Sequence, residues 1–301
     1  MADGSTKVVL TAMAGNLAIA LVKFVAFAFT RSSAMLTEAI HSLVDTSDQI
    51  LMLIGQARAA QPPDDTHPLG YGMETYFWSF IVALQVFLVG GILAIWQGAQ
   101  HIAHPVPIDR PWINYLVLAV CAAFEATSFA AAYREYRRIV RGRDIRLLRF
   151  LKLSKDPGVF ATLVEDGAAI TGLAIAAVGV AGESWLGIVW MDGAASVLIG
   201  VLLVAVAVFL ANETRSLIAG EAAVPSIVEA VRGLILGDGR VQELREVLSL
   251  HLGPKAILFA AAVHFRTGLS GDEVQQAARD LSQAIKTADP RITMVFLRPG
   301  T

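Results

Sequence analysis

The chain has 301 residues, 55% of them hydrophobic, with a mean hydropathy of +0.59. Its apolar share exceeds that of an ordinary soluble domain and comes in blocks, and a net charge of −2 gives no basic field for a nucleic-acid partner. The one cysteine, Cys121, excludes an internal disulfide and a cysteine-based metal cluster.

A bilayer core of about 30 Å takes about 20 mostly apolar residues per helix. Six segments reach that length: Val8–Thr30, Ala34–Ile54, Tyr76–Ile95, Trp112–Ala132, Val159–Val180 and Ile188–Leu210. The first is preceded by a short polar stretch and lacks a small-residue cleavage site, so it reads as a retained helix. The second is the poorest, because it carries Glu38, His41, Asp45 and Asp48. The third and sixth are the cleanest. Runs such as LIGVLLVAVAVFL do not alternate, which argues for helices over a β-barrel. Trp112, Trp185 and Trp190 suit an interfacial aromatic belt.

Short loops rich in Lys and Arg stay in the cytoplasm. The connection between spans four and five holds Arg134, Arg137, Arg138, Arg141, Arg143, Arg146, Arg149, Lys152 and Lys155. The opposite loops offer Arg31 and Arg110, with no basic residue near Glu183. The basic loop is therefore expected in the cytoplasm, and six spans put both termini there.

The composition changes after about Ala211, dividing a transport-type membrane domain, 1–210, from a soluble-type domain, 211–301. In the second part, Ser226–Leu236 reads as an amphipathic helix. Val241–His251 and Ile257–Phe265 read as strands, Asp272–Ala288 as a helix and Ile292–Leu297 as a last strand. The order α-β-β-α-β suits a small α+β layer pair with its helices on one sheet face.

Ionisable groups inside a span are costly and are functional candidates by default. His41 and Asp45 stand four apart and share one face of the second span. Glu38 lies three before His41, near that face, and Asp48 lies at its lower edge. The fifth span carries Glu165 and Asp166, which diverge by about 100° on a helix, so one of the two is expected to face His41 and Asp45. Gly167, Ala168, Ala169 and Gly172 would let another helix approach closely. An imidazole and carboxylates converging in hydrocarbon can share a divalent cation, for which Zn²⁺ suits the donors, or form a His–Asp hydrogen bond between helices. The metal reading is preferred here. A carboxylate that releases a cation in such surroundings takes a proton in its place.

Other intramembrane polar residues are Asn16 and Lys23 in the first span and Glu125 in the fourth. Lys23 either snorkels or pairs with an acid; Glu125 is such an acid, serves packing, or relays protons. Asp192 opens the sixth span as a helix-end residue, and His101 and His104 are expected just past the third span, at headgroup level.

The segment SxxxLTEAIHSLVDTSDQ, the loop PPDDTHPLGYG and the fifth-span segment LVEDGAAITGLAIA together resemble the cation diffusion facilitator family over nearly the whole chain. The EDGAAI pattern is similar to the divergent subgroup that includes the animal mitochondrial zinc transporter. The resemblance implies six transmembrane helices followed by a cytoplasmic α+β domain of ferredoxin-like type, and a homodimer joined through that tail. It implies export of a divalent metal, Zn²⁺ first and Mn²⁺, Fe²⁺ or Co²⁺ as alternatives, by antiport with protons through the lipid bilayer, with no bound cofactor and no enzymatic activity. The metal ligands implied are His41, Asp45 and Asp166. The family's usual fourth position falls on Ile170, which cannot bind metal, so water, Glu165 or Glu38 would complete the shell. In the loop, Asp64 and His67 match two usual ligands, but Tyr71 stands where a His is common. In the tail, His251 and His264 lie on strands, while the positions that bind zinc in some relatives hold Arg245, Ala261 and Leu297, so no strong binuclear site is expected there.

Two other function classes compete. An intramembrane metalloenzyme would need a general base beside a bound water, and the chain has no HExxH. A transport-inactive partner or scaffold, acting through dimerisation, follows from Ile170. The first residues lack an Arg-rich amphipathic stretch, which favours a bacterial inner membrane over a mitochondrial address.

Overall fold

Nearly every apolar block becomes a helix longer than its hydrophobic stretch. The computed structural model of the protein describes residues 2–140 and 145–300. The long helices are α1 (Ala2–Thr30), α2 (Ser33–Ala59), α3 (Glu74–Gln85) continuing through a π-helical stretch (Val86–Ile92) into α4 (Leu93–Ala103), α5 (Pro111–Val140), α7 (Pro157–Leu186) and α8 (Met191–Ala219). A short α6 (Leu147–Leu153) interrupts the basic connection, where charge had masked it from the sequence reading. Arg141 and Arg143 of that connection lie outside the described residues.

Among the described residues, five helices are long and apolar enough to cross a membrane: Met13–Thr30, Glu74–Ala103, Pro111–Val140, Pro157–Leu186 and Met191–Ala219. α2 has 27 residues, about 40 Å of helix, but is too charged to qualify on composition. The chain is a multi-pass helical membrane protein with a C-terminal α+β domain.

Local chemistry fixes the helix ends. Asp156 caps α7 by accepting the Gly158 N–H at 3.1 Å, with Pro157 at the first helical position. Gly187, at φ 69°, ends the same helix in the left-handed conformation that glycine adopts freely. The third span reaches Ala103, so His101 lies inside the helix and not beyond it, as expected from hydropathy; His104 is the exposed residue that closes the helix. α5 packs along α7 and α1.

Two compact units emerge. The first comprises the helices up to Ile54 together with Trp78–Glu213; the second comprises Gly55–Phe77 with the chain from Thr214 onward. The second unit contains α9 (Pro225–Leu236), β1 (Val241–Gly253), β2 (Ala256–Phe265), α10 (Gly271–Ala288) and β3 (Ile292–Pro299). Its sheet has the order β1-β2-β3, with β1 antiparallel and β3 parallel to β2. Alternate β2 residues Ile257, Phe259, Ala261 and Val263 bury one face with Val231 and Ile235 of α9 and Leu281 and Ile285 of α10. Ser270 and Glu273 cap α10 reciprocally. β1 departs from strict alternation because its pairing with β2 shifts register between Leu244 and Glu246 and again between His251 and Gly253. Gly72 of the loop lies against β1: a Cβ there would stand 2.3 Å from the Leu252 carbonyl oxygen, so no side chain fits.

Candidate functional site

α2 brings His41 and Asp45 together on one face, with Nδ1 of the imidazole 3.3 Å from an Asp45 carboxylate oxygen. His41 is 2% exposed and Asp45 20%. From α7, Asp166 accepts a hydrogen bond of 2.8 Å from Ser128 Oγ on α5. Asp166 acts electrostatically on both His41 and Asp45, as does Glu125 of α5. Its neighbour Glu165 acts on Asp45 and Asp48. Both acids of the fifth span lie within electrostatic reach of α2, and Asp166 is the one that acts on His41 as well as on Asp45. Ile170 occupies the next turn of α7.

The hydrogen-bond inventory of this region is incomplete. Nε2 of His41, both oxygens of Asp48 and one oxygen each of Glu165 and Glu38 are buried without a hydrogen-bond partner, and Nδ1 of His41 and its near Asp45 oxygen meet only each other, at 3.3 Å and outside hydrogen-bond geometry. Each such atom costs about 1–3 kcal/mol when nothing satisfies it. The donors are nevertheless not closed into a shell. Among the described residues, three ligand atoms within 4.8 Å of one another are found only at His101, Glu183 and Asp192.

Beside the cluster sits an ion pair the sequence left open. Lys23, 1% exposed, places Nζ 3.0 Å from a Glu38 oxygen and donates to Ser42 Oγ at 2.8 Å. Its acid is therefore Glu38, one turn before His41, while Glu125 acts on it at longer range. The other Glu38 oxygen faces α7 where Gly172 has no side chain; a Cβ there would be 2.6 Å from it. This is the close approach that the small residues of the fifth span suggest. Ser128 was missed by sequence reading, though its place three residues after Glu125 on one helix face was a usable signal.

In the loop of the second unit, Asp64 is already occupied. One oxygen accepts the Thr66 and His67 N–H groups at 2.9 and 2.7 Å, and the other accepts the Tyr71 hydroxyl at 2.6 Å. The Tyr71 hydroxyl and then the His67 N–H hold the Asp64 carboxyl below the usual range, and Tyr71 is pushed up in turn. His67 lies against the Tyr71 ring, with centroids 4.1 Å apart and the planes tilted by 35°. In the tail, His251 pairs opposite Ile257 and His264 opposite Glu243, about 23 Å apart along the sheet at 3.3 Å per residue. Ala261 and Leu297 are paired across β2 and β3.

The model for the cation efflux transmembrane domain matches residues 9–219. The chain belongs to the cation efflux family. Among curated relatives, the human protein named "Proton-coupled zinc antiporter SLC30A9, mitochondrial" is 31% identical over 97% of this chain and 52% of its own length. "Metal tolerance protein C4" of Arabidopsis thaliana is 28% identical over 87% of this chain and 57% of its own. "Cation-efflux pump FieF" of Escherichia fergusonii is 32% identical over 36% of each chain. The chain spans about half the length of the first two of these relatives. The family match includes α2 and α7 with every charged residue of the cluster, and ends with α8 at Ala219.

Proposed function

We propose that this member of the cation efflux family exports a divalent cation, Zn²⁺ before Mn²⁺, Fe²⁺ or Co²⁺, in exchange for protons. The observation that carries the reading is the set of buried, unpartnered donor atoms on His41, Asp45, Asp48 and Glu165. A cation passing between α2 and α7 would satisfy atoms that are costly to leave bare. His41, Asp45 and Asp166 are the proposed ligands, with Ser128 orienting Asp166. Glu165 is the better candidate than Glu38 to complete the shell, because Lys23 already holds one Glu38 oxygen. Asp64 and His67 are weaker supporting ligands, because both Asp64 oxygens already accept hydrogen bonds. When the ion leaves, protons neutralise the carboxylates it abandons, which couples the two movements. The printed name of the human relative, a proton-coupled zinc antiporter, supports zinc and proton coupling, and that of the Arabidopsis relative, a metal tolerance protein, supports a metal substrate. Their donor types alone would also suit the other first-row cations.

In this reading residues 1–210 form the transport domain and 211–301 a cytoplasmic tail that joins two copies. Both termini lie in the cytoplasm, and the protein is not an enzyme. For the address we propose a bacterial inner membrane; membrane fractionation decides between it and the mitochondrial address in the human relative's name.

The test is metal flux into vesicles holding the purified protein. With an acidic interior, outward proton flow should drive Zn²⁺ inward, and Asp45→Ala should abolish the uptake. Zn²⁺ uptake that ignores the pH gradient would sink proton coupling. A wild type that moves none of the four cations would leave Ile170 as the mark of a transport-inactive partner.

A further inference from the structure

A second set of donor side chains converges at the end of the bundle where α1 meets α2 and α7 meets α8. His101 near the end of α4, Glu183 near the end of α7 and Asp192 at the start of α8 each offer an atom, and these atoms lie within 4.8 Å of one another. None belongs to the transport ligands proposed above. Glu183 stands 26 residues into α7 from Pro157, about 39 Å along the helix from the basic connection.

The three differ in how firmly they are held. Asp192 is fully buried and bound by the start of α2: Ser32 Oγ donates to it at 2.6 Å, and the Ser33 N–H donates as well. Glu183 is 8% exposed, and one of its oxygens accepts the Ile108 N–H at 2.5 Å. Its other oxygen, Oε2, is buried with no hydrogen-bond partner, and so is Nε2 of His101. The imidazole stands 3.8 Å from Asp192, too far for a hydrogen bond. Two buried carboxylates and an imidazole thus meet without satisfying one another.

We propose that His101, Glu183 and Asp192 form a second binding site for a divalent first-row cation. Such an ion sits about 2.0–2.2 Å from nitrogen and oxygen donors, so its ligands stand roughly 3.3 Å apart in a tetrahedral shell; atoms within 4.8 Å of one another reach that spacing by approaching at most about 1.5 Å. The ion satisfies the bare atoms of Glu183 and His101 and offsets the repulsion between the two acids. Ser32 and the Ser33 N–H fix the Asp192 carboxylate from behind, as outer partners do at metal sites. An open cavity of about 560 Å³, lined by Arg31, Ser33, Gln97, His101 and His104 among others, gives access to His101. The site binds metal whether or not the transport reading holds.

The experiment counts Zn²⁺ bound to the purified full chain by equilibrium dialysis, in an Asp45→Ala background that disables the first set. Adding His101→Ala or Glu183→Gln should remove one bound equivalent, or weaken its binding at least tenfold. Glu183→Gln keeps the side chain's size and decides the matter if His101→Ala does not fold. Equal counts with equal affinity in the background and in the Glu183→Gln double variant overturn the site. Failure of the transport reading appears elsewhere, as flux unaffected by Asp45→Ala alone.

Discussion

At the scale of single residues, the proposed transport site is a set of donors and the partners that aim them. His41 and Asp45 were legible in the sequence because four residues on a helix is a fixed geometric relation. Asp166 was named by resemblance, and its orientation could not be read, since the Ser128 hydroxyl that holds it comes from another helix. That hydrogen bond keeps one carboxylate rotamer in place and contributes about 1 kcal/mol. Ser128→Ala should therefore leave folding intact and raise the apparent KM for Zn²⁺ by about fivefold, measured as initial uptake against zinc concentration. An unchanged KM would mean that Asp166 is positioned by other contacts or takes no part. Asp192 does stand in the first turn of α8, as its position suggested, but its carboxylate also accepts from Ser32 and the Ser33 N–H at the start of α2, a contact between helices that spacing does not show.

At the scale of elements, hydropathy found the spans but not their ends. Helices continue past their apolar stretch wherever a polar turn remains paired, as the third span does to Ala103. The tail elements were placed within two residues because caps and turn residues mark them: Ser270 with Glu273 before α10, and the Gly253-Pro254 turn after β1. α2 is the element whose stability is least apparent in the sequence. Lys23 compensates Glu38 across two helices while both are buried. Removing one partner of a buried pair strands the other charge at a cost of about 3–5 kcal/mol, whereas removing both is far milder. Lys23→Met should lower the detergent-solubilised melting temperature markedly, and Lys23→Met with Glu38→Gln should recover most of the loss. A double variant as unstable as the single one would show that Lys23 stabilises through its stem and Ser42, not through the ion pair.

At the scale of the whole molecule, assembly is the property that neither the spans nor the transport ligands supply. The sheet of the tail covers one face with α9 and α10. On its other face Leu248, Ala260 and Phe296 lie side by side across β1, β2 and β3 in direct register, and Leu248 and Phe296 are 60% and 57% exposed. An apolar row rimmed by charge marks a contact surface more often than a solvated one. Arg298 and Glu246 pair at 2.8 Å beside it, so the patch carries both signs and can meet a copy of itself about a twofold axis. A row of three side chains is small beside the roughly 1,200 Å² of a stable interface, so it would act as the anchor of a larger contact. Leu248→Glu with Phe296→Glu puts like charges opposite one another at that anchor while leaving the covered face untouched. The particle mass of the purified double variant, measured by light scattering in detergent, should fall from two chains to one, with the strands still protected from hydrogen exchange. A dimeric mass in the variant would move the interface off the sheet, and a monomeric wild type would remove it altogether.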